Sequence, residues 1–250
     1  MSIEVPARHN EKLQRILQCI NADVGLLQFY KCANINAMDR SGLSDHGEVH
    51  IRIVANAALR ILRLLLDADL EPNVVTDHEL TVDDAEVIVV LSSCLHDIGI
   101  ALHRDNHEQH SLILARPKAR KLLSSIYQEP TLTIMVAETL HAIIAHHWDT
   151  SCLTLEAGTV KVADALDMTQ GRSRIPFEAG QINIHSVSAM AVEEVSIEEG
   201  EERPVRISIR LRNSAGIFQI DELLKRKLRN SSLAPYIEVI ARIEGELEPR

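Results

Sequence analysis

The chain has 250 residues, of which 46% are hydrophobic and 25% charged, values typical of a soluble globular protein with a substantial core. Its formal net charge of −10 and pI of about 5.6 argue against a broad surface for nucleic acid or anionic lipid, since both need clustered Lys and Arg. The N-terminal MSIEVPARHN lacks the apolar stretch of a signal peptide and no apolar run is long enough to cross a membrane, so we expect a cytoplasmic protein.

Hydrophobic periodicity predicts helices through most of the first 180 residues. Apolar residues recur at helical spacing at Leu13, Ile16, Leu17 and Ile20, and again at Ile53, Val54, Ala57, Ile61, Leu64 and Leu65. Thr81 and the acidic residues after it favour the start of a helix that runs through VIVVLSSCLHD and ends near Gly99. Further helices are expected after Asp105 or Asn106, over about 131–147, and over LTLEAGTVKVADALDM.

The pattern changes after about residue 180. Two segments rich in β-branched residues, INIHSVSAMAVEEVSI and PVRISIRL, flank the polar EEGEER and predict a β-hairpin. A short helix over about 220–229 and a strand over YIEVIARIEG are expected next. The fold class is therefore mainly α, with a helical domain over residues 1–180 and a small α+β domain over residues 181–250. The second domain is a substrate lid, a dimerisation element or a packing extension, and the sequence does not choose among these.

The histidines are concentrated in a way that indicates a metal site. Nine of the 12 histidines fall into four groups: His46 and His50; His96, next to Asp97; His103, His107 and His110; and His141, His146 and His147. Imidazole is the commonest metal ligand in proteins. Asp164 lies in the apolar VKVADAL, where a buried carboxylate needs a partner such as a cation. The spacing of His46 and His50 predicts that both lie on one face of a helix.

Three local motifs follow one another along the chain: His50 in HIRIVA, His96 and Asp97 in CLHDIG, and Asp164 in VKVADALD. Their order resembles the HD superfamily of metal-dependent phosphohydrolases, and the resemblance covers roughly residues 40–175. It implies an HD-type helical bundle in which these four residues hold one divalent metal ion.

Three more histidines resemble those of the dinuclear branch of the superfamily, which includes the HD-GYP cyclic-dinucleotide phosphodiesterases. By this resemblance, His110, His146 and His147 would hold a second metal ion. His46 lies where dinuclear members can carry a glutamate ligand. HHWDTSCLTLEAG occupies the place of the GYP signature, so cyclic-di-GMP specificity is not implied.

The resemblance implies hydrolysis of a nucleotide or another small phosphate mono- or diester by a metal-activated water, with His96 and Asp97 as the catalytic pair. Mn, Fe, Co, Ni, Zn and Mg all suit histidine and carboxylate ligands, so the one or two metal ions cannot be named. Fixed cations are also needed for phosphate. The candidate substrate-binding residues are Arg104, Lys161, Arg172 and Arg174.

Two other functions stay open at this stage. The histidine-rich ligand set permits a di-iron oxygenase of the HD fold, and the protein could instead be a non-catalytic metal-binding regulator. His110, His146 and His147 could also form a polar rim beside a single metal ion. The partners expected are a small phosphorylated substrate and, as an open alternative, further copies of the same chain.

Overall fold

Helices form most of the computed structural model, which describes residues 2–169 and 188–243. The α-helices are α1 (Glu11–Ala22), α2 (Val24–Asn34), α3 (Glu48–Asp67), α4 (Asn73–His78), α5 (Val82–Leu95), α6 (His107–Leu123), α7 (Thr131–Ala145), α8 (Leu155–Ala165) and α9 (Lys225–Arg229). Short 3-10 or π-helical segments cover Ile35–Arg40, Ile98–Ala101, Ser214–Gly216, Gln219–Leu224 and Ala234–Tyr236. Among the described residues, no helix has the length and apolar character that crossing a membrane requires.

Helix α5 lies at the centre of the bundle. Its residues 84–95 are all buried, and it packs against α1, α3, α7 and α8. The start of the helix is fixed by a reciprocal cap, in which the main-chain N–H of Thr81 donates to Asp84 Oδ2 at 3.0 Å. The predicted helix start at Thr81 is confirmed. Because α5 is buried from Asp84 to its last residue, the residues that follow it begin inside the protein.

Helix α3 departs from the expectation in two places. The apolar periodicity predicts Ile53 in the core, but this side chain is 39% exposed, because it shares an outward face with Val49, which is 41% exposed. The helix begins only at Glu48, with Gly47 as its N-terminal cap residue. His46 therefore precedes the helix, and the predicted shared helical face of His46 and His50 is wrong.

The C-terminal part contains a three-stranded sheet with the strand order β1 (Val192–Glu199), β2 (Val205–Leu211) and β3 (Ile237–Ile243). The first pair is antiparallel, as the predicted hairpin requires, and β3 runs parallel to β2. The hairpin begins later than expected, because residues 188–190 are helical. The earlier part of the predicted strand lies outside the described residues.

The sheet packs on α3, and its inward residues join the same apolar core as the helices. The buried sheet residues are Val192, Val205, Ile207, Ile209, Leu211 and Ile237. The expected boundary between residues 180 and 181 falls outside the described residues, so the division into two domains stays a prediction. The mainly helical class with a small C-terminal sheet is confirmed.

Candidate metal centre

The His96–Asp97 pair lies where α5 ends at the core of the bundle. The chain then turns through Ile98–Ala101 and packs on the beginning of α6. Gly99 makes this packing possible, because a Cβ atom there would lie 2.2 Å from the carbonyl oxygen of His107. The close approach brings His107, the first residue of α6, to Asp97.

The first cluster joins three helices around one point. His50 comes from α3, His96 and Asp97 follow α5, and Asp164 comes from α8. The Nε2 atom of His50 lies 3.3 Å from His96 Nε2, 3.3 Å from Asp97 Oδ2 and 3.4 Å from Asp164 Oδ1. His96 Nε2 lies 3.4 Å from Asp97 Oδ2 and 3.6 Å from Asp164 Oδ1. Ligands bound at about 2.0–2.2 Å from one cation lie roughly 3–3.6 Å apart, so these five distances match those between the ligands of one cation.

A second cluster forms on the other side of Asp97. His107 Nε2 lies 3.1 Å from Asp97 Oδ1 and 3.2 Å from His146 Nε2. The distance from His146 Nε2 to Asp97 Oδ1 is 3.6 Å. Asp97 thus faces the first cluster with Oδ2 and the second with Oδ1, and one buried carboxylate is shared between the two.

The outer nitrogens of the histidines fix which atom faces inward. His50 Nδ1 donates to Asp167 Oδ2 at 2.6 Å. His96 and His146 each donate Nδ1 to the carbonyl three residues earlier, at 2.8 Å and 2.5 Å. A neutral imidazole that donates through Nδ1 carries its lone pair on Nε2. Such hydrogen bonds to the outer nitrogen are typical of metal-binding histidines.

This donor set fits a divalent cation. In the first cluster, the lone pairs of two imidazoles and two carboxylate oxygens face each other inside the protein, and such an arrangement is costly unless positive charge lies between them. His50, His96, Asp97 and Asp164 would hold one cation. His107 and His146, together with Oδ1 of Asp97, would hold a second cation.

The pKa values of the site reflect the same need for positive charge. Burial lowers the pKa of His96, but the carboxylates of Asp97 and Asp164 outweigh it and raise the pKa to about 9. Burial raises the pKa of Asp164, yet Lys227, His50 and His96 hold it well below its usual range. Burial lowers the pKa of His146 to about 4. At neutral pH, the carboxylates are therefore ionised and His146 is neutral, whereas His96 is protonated and would release its Nε2 proton when a cation binds.

Three other histidines take different places around the two clusters. His46 Nδ1 lies 2.7 Å from Asp97 Oδ2, beside the first cluster. Neither His110 nor His147 belongs to a group of three or more potential ligands among the described residues. His110 Nδ1 is buried and has no hydrogen-bond partner among the described residues. His147 Nδ1 accepts a hydrogen bond from the main-chain N–H of Asp149 at 3.3 Å. His110 and His147 as metal ligands stay predictions.

The predicted substrate-binding residues are only partly brought to the site. Arg104 lies at its edge, with Nη1 2.7 Å from His107 Nδ1. Lys161 is fully buried and donates to the carbonyls of Thr150 and Asn230, which favours a structural role over the expected contact with substrate. The other two candidates, Arg172 and Arg174, lie outside the described residues.

Sequence reasoning missed His107, Asp167 and Lys227. A signal existed for Asp167, because it is a second aspartate close to Asp164 in the DALD sequence. His107 belongs to one of the histidine groups, but no local pattern shows that it approaches Asp97, because the approach depends on how α6 packs. The ion pair of Lys227 with Asp164 joins residues 63 positions apart, and no local pattern indicates it.

The helical bundle with histidines and aspartates at its centre is that of an HD domain. The family model of the HD domain matches residues 48–169, and the chain belongs to this family, whose members are generally metal-dependent phosphohydrolases. The resemblance inferred from the sequence is thereby confirmed.

The chain is also similar to a relative over most of its length. It is 45% identical over 218 residues to "Uncharacterized protein MJ1020" of Methanocaldococcus jannaschii, an alignment that covers 87% of this chain and 84% of that protein. The similarity therefore extends well beyond the HD domain. No solved structure matches the chain.

Proposed function

We propose that the protein is a phosphohydrolase that cleaves a small phosphate mono- or diester, with a nucleotide as the favoured substrate and two divalent cations at its centre. The position of Asp97 carries this proposal. Its two carboxylate oxygens face two separate clusters of imidazole nitrogens, with His50 Nε2 3.3 Å from Oδ2 and His107 Nε2 3.1 Å from Oδ1. Asp97 would offer one oxygen to each of two cations, and two neighbouring cations would supply the Lewis acidity that phosphoester hydrolysis needs.

The protein residues have separate tasks in this proposal. When bound, divalent cations supply Lewis acidity, which lowers the pKa of water and neutralises charge on phosphoryl oxygens. Asp97 fixes the distance between the two clusters, and Asp167 orients His50 through its outer nitrogen. His46 stabilises the ionised form of Asp97 by a hydrogen bond to Oδ2. Arg104 at the edge of the second cluster is placed to meet an anionic substrate.

The proposal is tested by hydrolysis assays on protein loaded with Mn²⁺, Mg²⁺ or Zn²⁺. Para-nitrophenyl phosphate and bis(para-nitrophenyl) phosphate distinguish monoesters from diesters, and a panel of nucleoside mono- and triphosphates tests the nucleotide preference. We expect metal-dependent release of product that is lost in Asp97→Asn. The control is Asp67→Asn, which makes the same change at an exposed position at the end of α3.

Two outcomes would contradict the proposal. Hydrolysis that survives Asp97→Asn at the wild-type rate would separate the activity from this centre. Metal binding that raises the melting temperature without any hydrolysis would favour the non-catalytic regulator.

The oxygenase remains the second candidate, because four imidazoles around one shared carboxylate also suit iron. An oxygenase must consume O₂ when loaded with iron. A hydrolase works with Mn²⁺ or Mg²⁺ under nitrogen and consumes none. Oxygen-electrode measurements on the iron-loaded protein, with Asp97→Asn as the control, distinguish the two.

A further inference from the structure

The C-terminal part of the chain supplies a lysine to the metal centre. Lys227, on α9, donates to Asp164 Oδ2, and the two side chains are 15% and 12% exposed. The other oxygen of the same carboxylate, Oδ1, lies 3.4 Å from His50 Nε2. Lys227 thus lies at the outer edge of the first cluster, on a segment that the HD domain match does not include.

Helix α9 is held against the loop that follows α7. The guanidinium of Arg226 donates to both carboxylate oxygens of Asp149, at 2.8 Å and 2.9 Å. It also lies over the ring of Trp148, 4.6 Å from the ring centroid. These two contacts fix Arg226, the residue next to Lys227. They lie on the side of the second cluster, because the loop that carries Trp148 and Asp149 begins at His146.

The end of the same segment is held against α8. The carbonyl oxygen of Asn230 accepts from the main-chain N–H of Cys152 at 2.9 Å and from Lys161 Nζ at 3.5 Å. A Cβ atom on residue 158 would lie 2.1 Å from the carbonyl oxygen of Ser231. This segment can therefore pack against α8 only because residue 158 is glycine. Lys227 is therefore positioned by contacts on both sides of it.

We propose that Lys227 is an active-site residue that binds an oxygen of the substrate phosphoryl group while Asp164 holds its ammonium in place. This inference rests on the proposed phosphohydrolase function. An ammonium has three N–H donors, and the structure gives Lys227 one partner among the described residues, Asp164. The remaining donors are available at the edge of the centre where the phosphoryl group would bind. A lysine serves there as a compact point charge for phosphate.

The alternative is that Lys227 only completes the packing of α9 on α8. Binding measurements on variants of Lys227 separate the two roles. A phosphate-binding role predicts weaker phosphate binding with undiminished metal affinity, whereas a packing role predicts the loss of both. Removing a positive charge next to Asp164 leaves the affinity for a cation unchanged or raises it, since like charges repel. Loss of a charge-assisted hydrogen bond weakens phosphate binding by roughly 10- to 100-fold.

The experiment is calorimetric titration of the Mn²⁺-loaded protein with inorganic phosphate, and of the metal-free protein with Mn²⁺. We compare the wild type with Lys227→Met, which keeps the length of the side chain, and with Lys227→Arg, which keeps its charge. Lys225→Met is the control, because it makes the same change on the same helix at a lysine that is 59% exposed and paired with Asp221.

We expect Lys227→Met to bind phosphate 10- to 100-fold more weakly with undiminished Mn²⁺ affinity, Lys227→Arg to recover much of the phosphate affinity, and Lys225→Met to match the wild type. Phosphate affinity of Lys227→Met within twofold of the wild type would overturn the assignment. Loss of both phosphate and Mn²⁺ binding in Lys227→Met, with no recovery in Lys227→Arg, would also overturn the assignment. That result would show that Lys227 serves only the packing of α9. Failure of the wild type to bind phosphate at all would instead count against the proposed function itself.

Discussion

Asp167 accepts the Nδ1 proton of His50 at 2.6 Å, and this bond determines that His50 presents Nε2 to the metal centre. Both side chains are buried, so water does not compete for the hydrogen bond. The same residue completes the DALD sequence that begins with the ligand Asp164. The end of α8 and the residues just after it therefore contribute both a potential metal ligand and the group that orients another.

Replacing Asp167 should weaken metal binding without removing a ligand. We expect Asp167→Asn to lower the affinity for Mn²⁺ by about 10- to 100-fold, since an amide neither holds the tautomer nor raises the basicity of His50 as a carboxylate does. Competition with a fluorescent chelator measures the effect, and Asp67→Asn serves as the surface control. An affinity equal to that of the wild type would show that the His50–Asp167 bond does not support the centre.

The two histidines at the start of α6 should differ sharply in their effect on metal stoichiometry. We expect His107→Ala to lose one of two bound metal ions, because His107 Nε2 lies 3.1 Å from Asp97 Oδ1. We expect His110→Ala to retain both. Elemental mass spectrometry on protein dialysed against Mn²⁺ gives the ratio directly. The reverse result would restore His110, the residue that the sequence resemblance indicates, as the ligand.

Gly99 should tolerate no side chain. A Cβ atom at this position would lie 2.2 Å from His107 O and 2.3 Å from Ser111 N, both main-chain atoms that cannot move without displacing α6. We expect Gly99→Ala to reduce the free energy of unfolding by about 3 kcal/mol, as overpacking does. For a protein of this size that is a fall in Tm of roughly 6–12 °C.

Gly25→Ala is the matched control for that prediction. Its Cβ atom would meet the flexible end of Lys118, at 3.0 Å, and Asp23 Oδ1, at 3.3 Å, so small side-chain shifts accommodate it. Thermal melts of both variants, monitored by circular dichroism, give the comparison. Equal Tm values for the two variants would refute the claim that α6 is held in place by the absence of a side chain at Gly99.

Glu86 should make the fold sensitive to acid. Burial raises the pKa of this carboxyl, but hydrogen bonds from Arg63 and Asn10 and the charge of Arg63 outweigh it and lower the pKa below the usual 4.5. A carboxyl whose pKa is lower in the folded than in the unfolded chain stabilises the fold above its unfolded pKa. That stabilisation is lost as the pH falls through the folded value.

Urea unfolding of the metal-free protein at about pH 6 and about pH 3.5 tests this dependence. We expect the free energy of unfolding to fall less between these values in Glu86→Gln than in the wild type. Glu71→Gln, at an exposed position, should behave as the wild type does. Identical pH dependence in all three proteins would show that the pair of Glu86 with Arg63 contributes no acid sensitivity.

The sequence predicts those parts of the site that depend on local order. His50, His96, Asp97 and Asp164 each lie in a short motif, and the helices that carry them have clear apolar periodicity or caps. The start of α5 at Thr81 follows from the same local chemistry, because the cap involves residues only three positions apart.

The remaining features depend on tertiary packing and so could not be predicted. His107 rather than His110 faces Asp97 because of how closely Gly99 approaches α6. The late start of α3, which leaves His46 outside the helix, coincides with a hydrogen bond from the main-chain N–H of His46 to the side chain of Asn34, on another helix. Lys227 reaches Asp164 only because the C-terminal segment packs on α8.

The ligand atoms of the two clusters come from α3, the ends of α5 and α7, the first residue of α6, and α8. Two bound ions would therefore cross-link five helices that otherwise pack together mainly through apolar side chains. Such ions would hold the bundle together, because the unfolding of any one of these helices would break a bond between a metal ion and its ligand. Metal ions would then exchange with solvent only when the bundle opens locally. The rate of this opening would limit how fast a chelator removes the ions.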